Sequence, residues 1–341
     1  MAVLVTGANG FIAKYIVNDL LNEGYDVIGV VRSQAKADLL IKQFGGNPHL
    51  VMEVVNDITL LDAFDSVFQK HAKEIEIILH CASPLPSEGN DYEKTHVLPA
   101  VNGTVSVLEA AKKYAAQTVK RVVITSSVAA VMDPAKHDGS TFILDENHWC
   151  PLTLADAHGN SHTAYMVSKT KAERAAWEFL EANRKEVRFE LATLLPVYVF
   201  GPQLFKEDAV GGLNYSNGQI QSVLCSSPGG ELEDNTFKNF VDVRDVARSH
   251  LLAFQKAGAA GKRLLLCKSL YSAQDLANIL NERFPQLKGK IAEGPNPGKY
   301  DVNSVVTQHF RAEEILGLKY KTLEESVYET VSQALEVGLR T

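Results

Sequence analysis

The sequence lacks any run of apolar residues that approaches the roughly 20 residues of a membrane span. Its first residues enter an apolar strand directly, without the basic leader and apolar core of a secretory signal. Only four of the 341 residues are cysteines, and no two of them form a C-x-x-C pair. Such scattered cysteines favour reduced thiols over disulfides or a zinc site. We therefore expect a cytoplasmic protein that does not associate with a membrane.

Positive charge is also scarce. The 34 lysines and arginines are outnumbered by 41 aspartates and glutamates, which gives a net charge of -7. No basic run offers the phosphate neutralisation that nucleic acids require, so a nucleic acid is not an expected partner. With 45% hydrophobic and 22% charged residues, the composition is that of an ordinary globular protein. The length allows one large domain or two lobes that share a cleft.

The beginning of the chain combines a strand, a glycine-rich turn and a helix. Residues 1–5 form an apolar run of strand length, and the apolar residues of segment 12–20 recur with helical spacing. Gly7 would permit the sharp turn, Gly10 would let the backbone approach a pyrophosphate, and Ala13 replaces a third glycine where helix packs on strand. Glycines at such turns are often purely structural. Their position between strand and helix nevertheless predicts dinucleotide binding, because the start of the helix attracts an anion.

The end of the second predicted strand, residues 25–31, indicates which dinucleotide binds. A site that prefers NAD usually has an acidic residue here, whereas an arginine accommodates the additional 2′-phosphate of NADP. This chain has Arg32 and Lys36, with no carboxylate before Asp38. Both cations could simply be solvated, but their spacing at the start of a helix lets both face a phosphate. We favour NADPH as the cofactor.

Strands and helices alternate up to about residue 200. Further strands are predicted at residues 49–55, 75–81, 121–125 and 189–195. This rhythm predicts a parallel, doubly wound sheet, in which ligands collect at the carboxyl ends of the strands. Ala82, Ser83 and the loop through Leu85 and Pro86 follow one such end. Asp57 follows another, where it would bond the adenine or simply form a turn.

The alternation weakens beyond Gln203. Loops rich in glycine and asparagine surround a helix near residues 219–224, which is typical of a mobile lobe that closes over a substrate. Order returns with Asp242 as a predicted helix N-cap. We therefore predict an α/β protein with two parts. A Rossmann-type domain comprises residues 1–200 and 239–257, and a smaller C-terminal substrate-binding lobe comprises residues 201–238 and 258–341.

A Tyr-x-x-x-Lys pair, Tyr165 and Lys169, lies in the helix predicted from residue 164 to residue 184. Side chains four residues apart share one helix face, so the phenol and the ammonium can meet. A lysine cation stabilises the phenolate and so makes the phenol a better proton donor near neutral pH. We expect Tyr165 to be the general acid and Lys169 to tune it and to bind the nicotinamide ribose. A chance surface pair is the alternative interpretation.

A serine at the end of the fifth predicted strand supports the catalytic interpretation. The hydroxyl of Ser127 would hold a substrate carbonyl beside the phenol. Because side chains alternate along a strand, only one of Ser126 and Ser127 should face the site, and the sequence leaves open which. His158 and His162 are also four apart, but no further ligands cluster with them, so no metal site is expected.

The chain resembles the extended short-chain dehydrogenase/reductases over nearly its whole length. The motifs that carry this resemblance are Thr6-Gly-x-x-Gly-x-x-Ala13, Ser127, Tyr165-x-x-x-Lys169 and Pro196. A narrower similarity links five segments to the NADPH-dependent carbonyl reductases of the dihydroflavonol-reductase-like branch, which include yeast methylglyoxal and 3-methylbutanal reductases. These segments are residues 7–13, 32–33, 100–103, 196–202 and 241–247. The resemblance implies hydride transfer from NADPH to an aldehyde or ketone, with Tyr165 protonating the oxygen.

The resemblance also assigns roles to individual residues. It implies a catalytic triad of Ser127, Tyr165 and Lys169, with Asn102 supporting a proton relay to the lysine. Pro196 and Val199 would lie near the nicotinamide. The residues expected around the cofactor are Gly7, Asn9, Gly10, Phe11, Ile12, Arg32, Lys36, Asp57, Ile58, Ala82, Ser83, Tyr165, Lys169, Pro196 and Val199.

Two rival functions are compatible with parts of this pattern. A sugar-nucleotide epimerase or dehydratase shares the triad, but such enzymes generally hold NAD, which Arg32 disfavours. A regulatory module that senses NADP(H) without catalysis would tend to lack the Tyr-x-x-x-Lys pair. The sequence identifies neither the physiological carbonyl nor the stereochemistry of the alcohol, and it is compatible with a monomer or a homodimer.

Overall fold

The computed structural model describes residues 1–83, 89, 91–136, 146–232, 238–298 and 310–339. Seven parallel strands form its main sheet, in the order β3-β2-β1-β4-β5-β6-β9. Their bounds are β1 Ala2–Thr6, β2 Asp26–Val31, β3 Leu50–Val54, β4 Ile75–His80, β5 Arg121–Thr125, β6 Glu190–Pro196 and β9 Lys262–Leu266. The order 3-2-1-4-5-6 is that of a Rossmann-type sheet, so the predicted doubly wound fold is confirmed.

Helices cover both faces of this sheet. The described α-helices are α1 Phe11–Asn22, α2 Gln34–Gln43, α3 Asp65–His71, α4 Leu98–Ala115, α5 Ser161–Ala182, α6 Gly218–Leu224, α7 Val243–Gln255, α8 Ala273–Arg283, α9 Phe310–Leu316 and α10 Leu323–Glu336. Of these, α6, α8 and α10 do not cover the main sheet but belong to a separate core. Successive residues of β1 point to opposite faces. Val3 and Val5 pack in the core shared with α1 and α7, whereas Ala2 and Leu4 pack in the core shared with α4 and α5.

A second, three-stranded sheet has the order β10-β8-β7. Its strands are β7 Tyr198–Phe200, β8 Lys238–Asp242 and β10 Ser269–Tyr271. Phe200, Phe240 and Tyr271 from these strands form a separate core with side chains of α6, α8 and α10. The sequence did not predict β7 or β10, because three residues are too few to show an alternating pattern.

The predicted division of the chain needs correction beyond residue 258. Strand β9 pairs in parallel with β6 and is therefore an edge strand of the main sheet, not part of the smaller lobe. Ala312 and Leu316 of α9 pack in the core of that sheet as well. The physical reason is that β6 would otherwise present unpaired backbone groups, which β9 satisfies. In the opposite sense, β8, at the start of the predicted returning segment 239–257, lies in the small sheet.

Asp242 has the structural role expected of it. Its Oδ1 accepts a hydrogen bond of 2.8 Å from the backbone N–H of Arg244, which caps α7. The Arg244 side chain also binds this fully buried carboxylate, and Ser326 of α10 donates to it. The cap therefore also joins α7 to the C-terminal helix.

Among the described helices, none combines the length and the apolar character that crossing a membrane requires.

Candidate active site

The glycine-rich turn lies where the carboxyl ends of β1 and β4 meet. Gly7 has a φ of 66°, and a Cβ there would lie 2.9 Å from the Cα of Ala82. The N–H of Ala82 donates to the Thr6 hydroxyl at 3.1 Å, which holds the two strand ends together. The turn therefore requires glycine at this position, both for its φ angle and for the close approach of the chain.

Gly10 opens helix α1 as its N-cap, and no described side chain caps the helix. The first-turn N–H groups, including those of Phe11 and Ile12, are thus available to an anion, and the helix dipole favours negative charge there. Asn9 is partly buried beside them. This geometry fits the pyrophosphate of a dinucleotide.

Arg32 and Lys36 lie together at the end of β2 and the start of α2. Arg32 is exposed and Lys36 is partly buried in the first helical turn. Within the described ranges, no carboxylate pairs with either cation. Asp38, the nearest acidic residue in sequence, accepts a 2.8 Å hydrogen bond from Gln34. The two cations therefore offer positive charge that a 2′-phosphate would neutralise.

Asp57 is engaged in a local turn. Its Oδ1 accepts hydrogen bonds from the Thr59 hydroxyl at 2.7 Å and the Thr59 backbone N–H at 2.8 Å. These bonds lower the pKa of Asp57 below its ordinary value. The carbonyl of Ile58 accepts a 2.9 Å bond from Ser106 of α4, which fixes the turn on the domain. The structure thus shows the turn-forming alternative for Asp57, and its contact with adenine stays a prediction.

Tyr165 and Lys169 are both partly exposed on α5, which packs against α4. The Nζ atom of Lys169 lies 5.8 Å from the centroid of the Tyr165 ring. It also donates to the hydroxyl of Ser83 at 3.0 Å. Because Ser83 follows β4, this bond places Tyr165 and Lys169 at the same edge of the sheet as the glycine turn. The two side chains therefore do not form an outlying surface pair.

The two serines after β5 point in different directions. Ser126 is buried and donates to Oε2 of Glu173 at 2.6 Å. Ser127 is partly exposed, and its hydroxyl oxygen accepts a 3.1 Å bond from the N–H of Ala129. That bond occupies the oxygen but leaves the hydroxyl proton free to be donated. Ser127 is therefore the serine that can hold a carbonyl oxygen.

A small polar cavity lies behind Lys169, lined in part by His80, Thr104 and Glu173. His80 is almost fully buried, with Nδ1 2.9 Å from the Thr6 hydroxyl. Burial, together with the charge of Lys169, lowers the pKa of His80 to about 3. His80 is therefore neutral near physiological pH and adds no second cation beside the lysine.

Sequence reasoning did not identify His80 or Glu173. Helix α4 contributes Ala100 and Thr104 to the lining of the cavity. Asn102 lies between them, about 200° around the helix from Ala100 at about 100° per residue, so its side chain is on another face. Its proposed relay stays a prediction.

The remaining predicted residues lie toward the small sheet. Pro196 ends β6, opposite Leu266 of β9, and Val199 is buried in β7. Leu85 and Pro86 lie outside the described residues. In the predicted substrate-binding lobe, Tyr215 is 79% exposed. In the part of the chain that the structure describes, no three His, Cys, Asp or Glu side chains are grouped so that they could hold a metal ion.

The chain is similar to known proteins over most of its length. The model of a family described as "NAD dependent epimerase/dehydratase family" matches residues 3–267. NADPH-dependent methylglyoxal reductase GRE2 of Saccharomyces cerevisiae is 47% identical over 338 residues, which cover 98% of each chain. The crystal structure of yeast methylglyoxal/isovaleraldehyde reductase Gre2 complexed with NADPH superimposes with a TM-score of 0.95, at 46% identity and with 100% of both chains covered. The NADPH complex of Gre2 from Candida albicans gives 0.92 at 40% identity, with 99% of each chain covered.

Proposed function

The chain belongs to the NAD dependent epimerase/dehydratase family, and from this premise we propose that it is an NADPH-dependent reductase of aldehydes and ketones. The observation that carries the proposal is the contact of Lys169 with the Tyr165 ring and with Ser83, at the edge of the sheet where Gly7 turns and where Ser127 follows β5. The relatives named as NADPH-dependent reductases, which match over nearly the whole chain, support it.

The residues of the site fit NADPH. The open N-terminus of α1 would hold the pyrophosphate, Arg32 and Lys36 would hold the 2′-phosphate, and Lys169 would hold the nicotinamide ribose. When bound, NADPH supplies the hydride that adds to the carbonyl carbon. The two solved Gre2 structures that contain NADPH support this choice of cofactor.

The side chains of the protein account for the remaining chemistry. The hydroxyl of Ser127 donates a hydrogen bond to the carbonyl oxygen and so positions it and stabilises its developing charge. Tyr165 transfers its phenolic proton to that oxygen, which completes the alcohol. The ammonium of Lys169 stabilises the phenolate that remains. A neutral His80 behind the lysine leaves this cation undisturbed.

The lobe and the location of the protein also belong to this proposal. We infer that the small sheet, together with α6, α8 and α10, forms the substrate-binding lobe. The exposed side chain of Tyr215 in this lobe is available to contact the carbonyl compound. Cys81, Cys150 and Cys225 are free thiols, which supports a reducing, cytoplasmic compartment. A monomer and a homodimer both stay predictions for the oligomeric state.

The proposal is tested by mixing the protein with NADPH and a panel of aldehydes and ketones that includes methylglyoxal and 3-methylbutanal. We expect the absorbance of the reduced nicotinamide to fall, and to fall much more slowly with NADH. Chiral analysis of the alcohols would define the stereochemistry. NADPH binding without reduction of any carbonyl would instead support the sensor function, and interconversion of sugar nucleotides without net cofactor consumption would support an epimerase.

Ser127→Ala should lower kcat by about a hundredfold, the size of effect seen when one oxyanion donor is removed. NADPH affinity should stay within about twofold, because the hydroxyl is assigned to the substrate and not to the cofactor. Steady-state kinetics and fluorescence titration of NADPH measure the two quantities. A kcat close to that of the wild type would remove Ser127 from the triad.

A further inference from the structure

We propose that Glu173 is a positioning residue for carbonyl reduction. It acts through Ser126 to orient Ser127, and through helix α5 to hold Tyr165 and Lys169 against the strand that carries the serine. This inference rests on the proposed reductase function and concerns residues that do not touch the substrate.

Glu173 shares a helix face with the catalytic pair. Tyr165, Lys169 and Glu173 follow one another at intervals of four residues, so their side chains are stacked along α5. The Glu173 side chain is only 1% exposed and lines the same cavity as Lys169. A buried carboxylate is costly unless it is paired and hydrogen-bonded. Its place on the inner face of α5 must therefore be explained by the bonds that it makes.

Those bonds join the helix to consecutive strands of the main sheet. Ser126, directly after β5, donates to Oε2 at 2.6 Å, and Thr193 of β6 donates to Oε1 at 2.7 Å. Arg263 of β9 binds both oxygens, with Nε 2.7 Å from Oε1 and Nη2 3.2 Å from Oε2. Such two-point binding restricts the orientation of the carboxylate. Glu173 thus fixes α5 relative to β5, β6 and β9 at one point.

Arg263 is the cation that pairs with the carboxylate of Glu173. The guanidinium of Arg263 stacks on Trp149, with Cζ 3.5 Å from the ring centroid, and donates to the backbone carbonyls of residues 146 and 148. Because the carboxylate pairs with this anchored cation, Lys169 is left to bind Ser83. The positive charge of Lys169 therefore remains beside the phenol of Tyr165.

The contact with Ser126 sets the direction of Ser127. The N–H of Ser126 donates to the carbonyl of Leu194 at 2.8 Å, while its hydroxyl is bound to Glu173. Ser127 follows in an extended conformation, with φ of -160°. Because successive side chains in an extended chain point opposite ways, an inward Ser126 places Ser127 outward, toward the site. Proton transfer and carbonyl polarisation depend on such placement to within about 1 Å.

A matched pair of substitutions tests this role. Ser126→Ala and Thr193→Val each remove one hydroxyl donor from the same buried carboxylate, so they should lower Tm by similar amounts. Only Ser126 is bonded directly to the residue that presents the catalytic hydroxyl. We expect Ser126→Ala to lower kcat by about fivefold with unchanged NADPH affinity, and Thr193→Val to leave kcat within about twofold of the wild type.

Equal kcat values for the two variants would overturn the proposal, because a purely structural carboxylate makes no distinction between its donors. Glu173→Gln provides a second test if it folds. It should lower kcat more than Ser126→Ala does, and adding Ser126→Ala to it should cost less than the fivefold seen in the wild type. A wild-type protein that reduces no carbonyl would refute the reductase function itself. Tm and NADPH binding would still show whether each variant folds.

Discussion

Replacing Tyr165 with phenylalanine will abolish most carbonyl reduction while the protein continues to bind NADPH. The substitution removes the one proton that the site is assigned to deliver, and general acid catalysis of this kind contributes about 10²- to 10⁴-fold. We therefore expect kcat to fall by about a thousandfold. The phenyl ring keeps its volume on α5, and the contact between Lys169 and Ser83 does not involve the lost hydroxyl.

The measurement needs two readouts and one control. Single-turnover decay of NADPH absorbance reports the chemical step, and fluorescence titration reports the dissociation constant of NADPH. Tyr25→Phe is the matched control, because the hydroxyl of Tyr25 accepts a hydrogen bond from Gln255 on the outside of the domain. It should retain the turnover of the wild type. A Tyr165→Phe protein that lost affinity and turnover equally would contradict the role of general acid.

The parts of the site that could be predicted from the sequence are those determined by local geometry. Gly7 and Gly10 are read from a strand, turn and helix that are continuous in the chain, and Tyr165 and Lys169 from helical spacing. The choice between Ser126 and Ser127 could not be made in this way. Alternation shows that the two side chains diverge, but only the contact with Glu173, 47 residues away in the chain, determines which of them turns inward.

The unpredicted parts depend on contacts between distant segments. From the sequence alone, Glu173 is indistinguishable from the charged surface residues of α5. Only the folded sheet brings Thr193 and Arg263 into contact with it. His80 similarly becomes buried only when α4 and α5 cover the end of β4. The position of β9 at the edge of the main sheet has the same origin, since strand order is not encoded in the length or polarity of a single strand.

The family description alone does not determine which nicotinamide cofactor the chain uses, because it names NAD while the chain has Arg32 where NAD sites usually have an acidic residue. The structure gives this difference a physical basis. Neither Arg32 nor Lys36 is paired with a described carboxylate, so a ligand phosphate would meet uncompensated positive charge. We therefore expect cofactor choice to depend on Arg32 and Lys36.

Arg32→Asp should consequently weaken NADPH binding by about a hundredfold or more, because a hydrogen bond between charged groups contributes about 1.5 to 3 kcal/mol and a carboxylate would also repel the phosphate. NADH binding should be unchanged or tighter, since an acidic residue at this position can accept a hydrogen bond from the ribose 2′-hydroxyl. Dissociation constants for both cofactors, measured by fluorescence titration, give the ratio of NADPH to NADH affinity directly.

The matched control is Lys42→Asp, which makes the same charge reversal at an exposed position near the other end of α2. It should leave the ratio of the two affinities within about twofold, because exposed charges beyond about 10 Å are screened at 0.1 M salt. An equal shift in both variants would attribute the effect to net charge, and an unchanged ratio in Arg32→Asp would show that the 2′-phosphate is bound elsewhere.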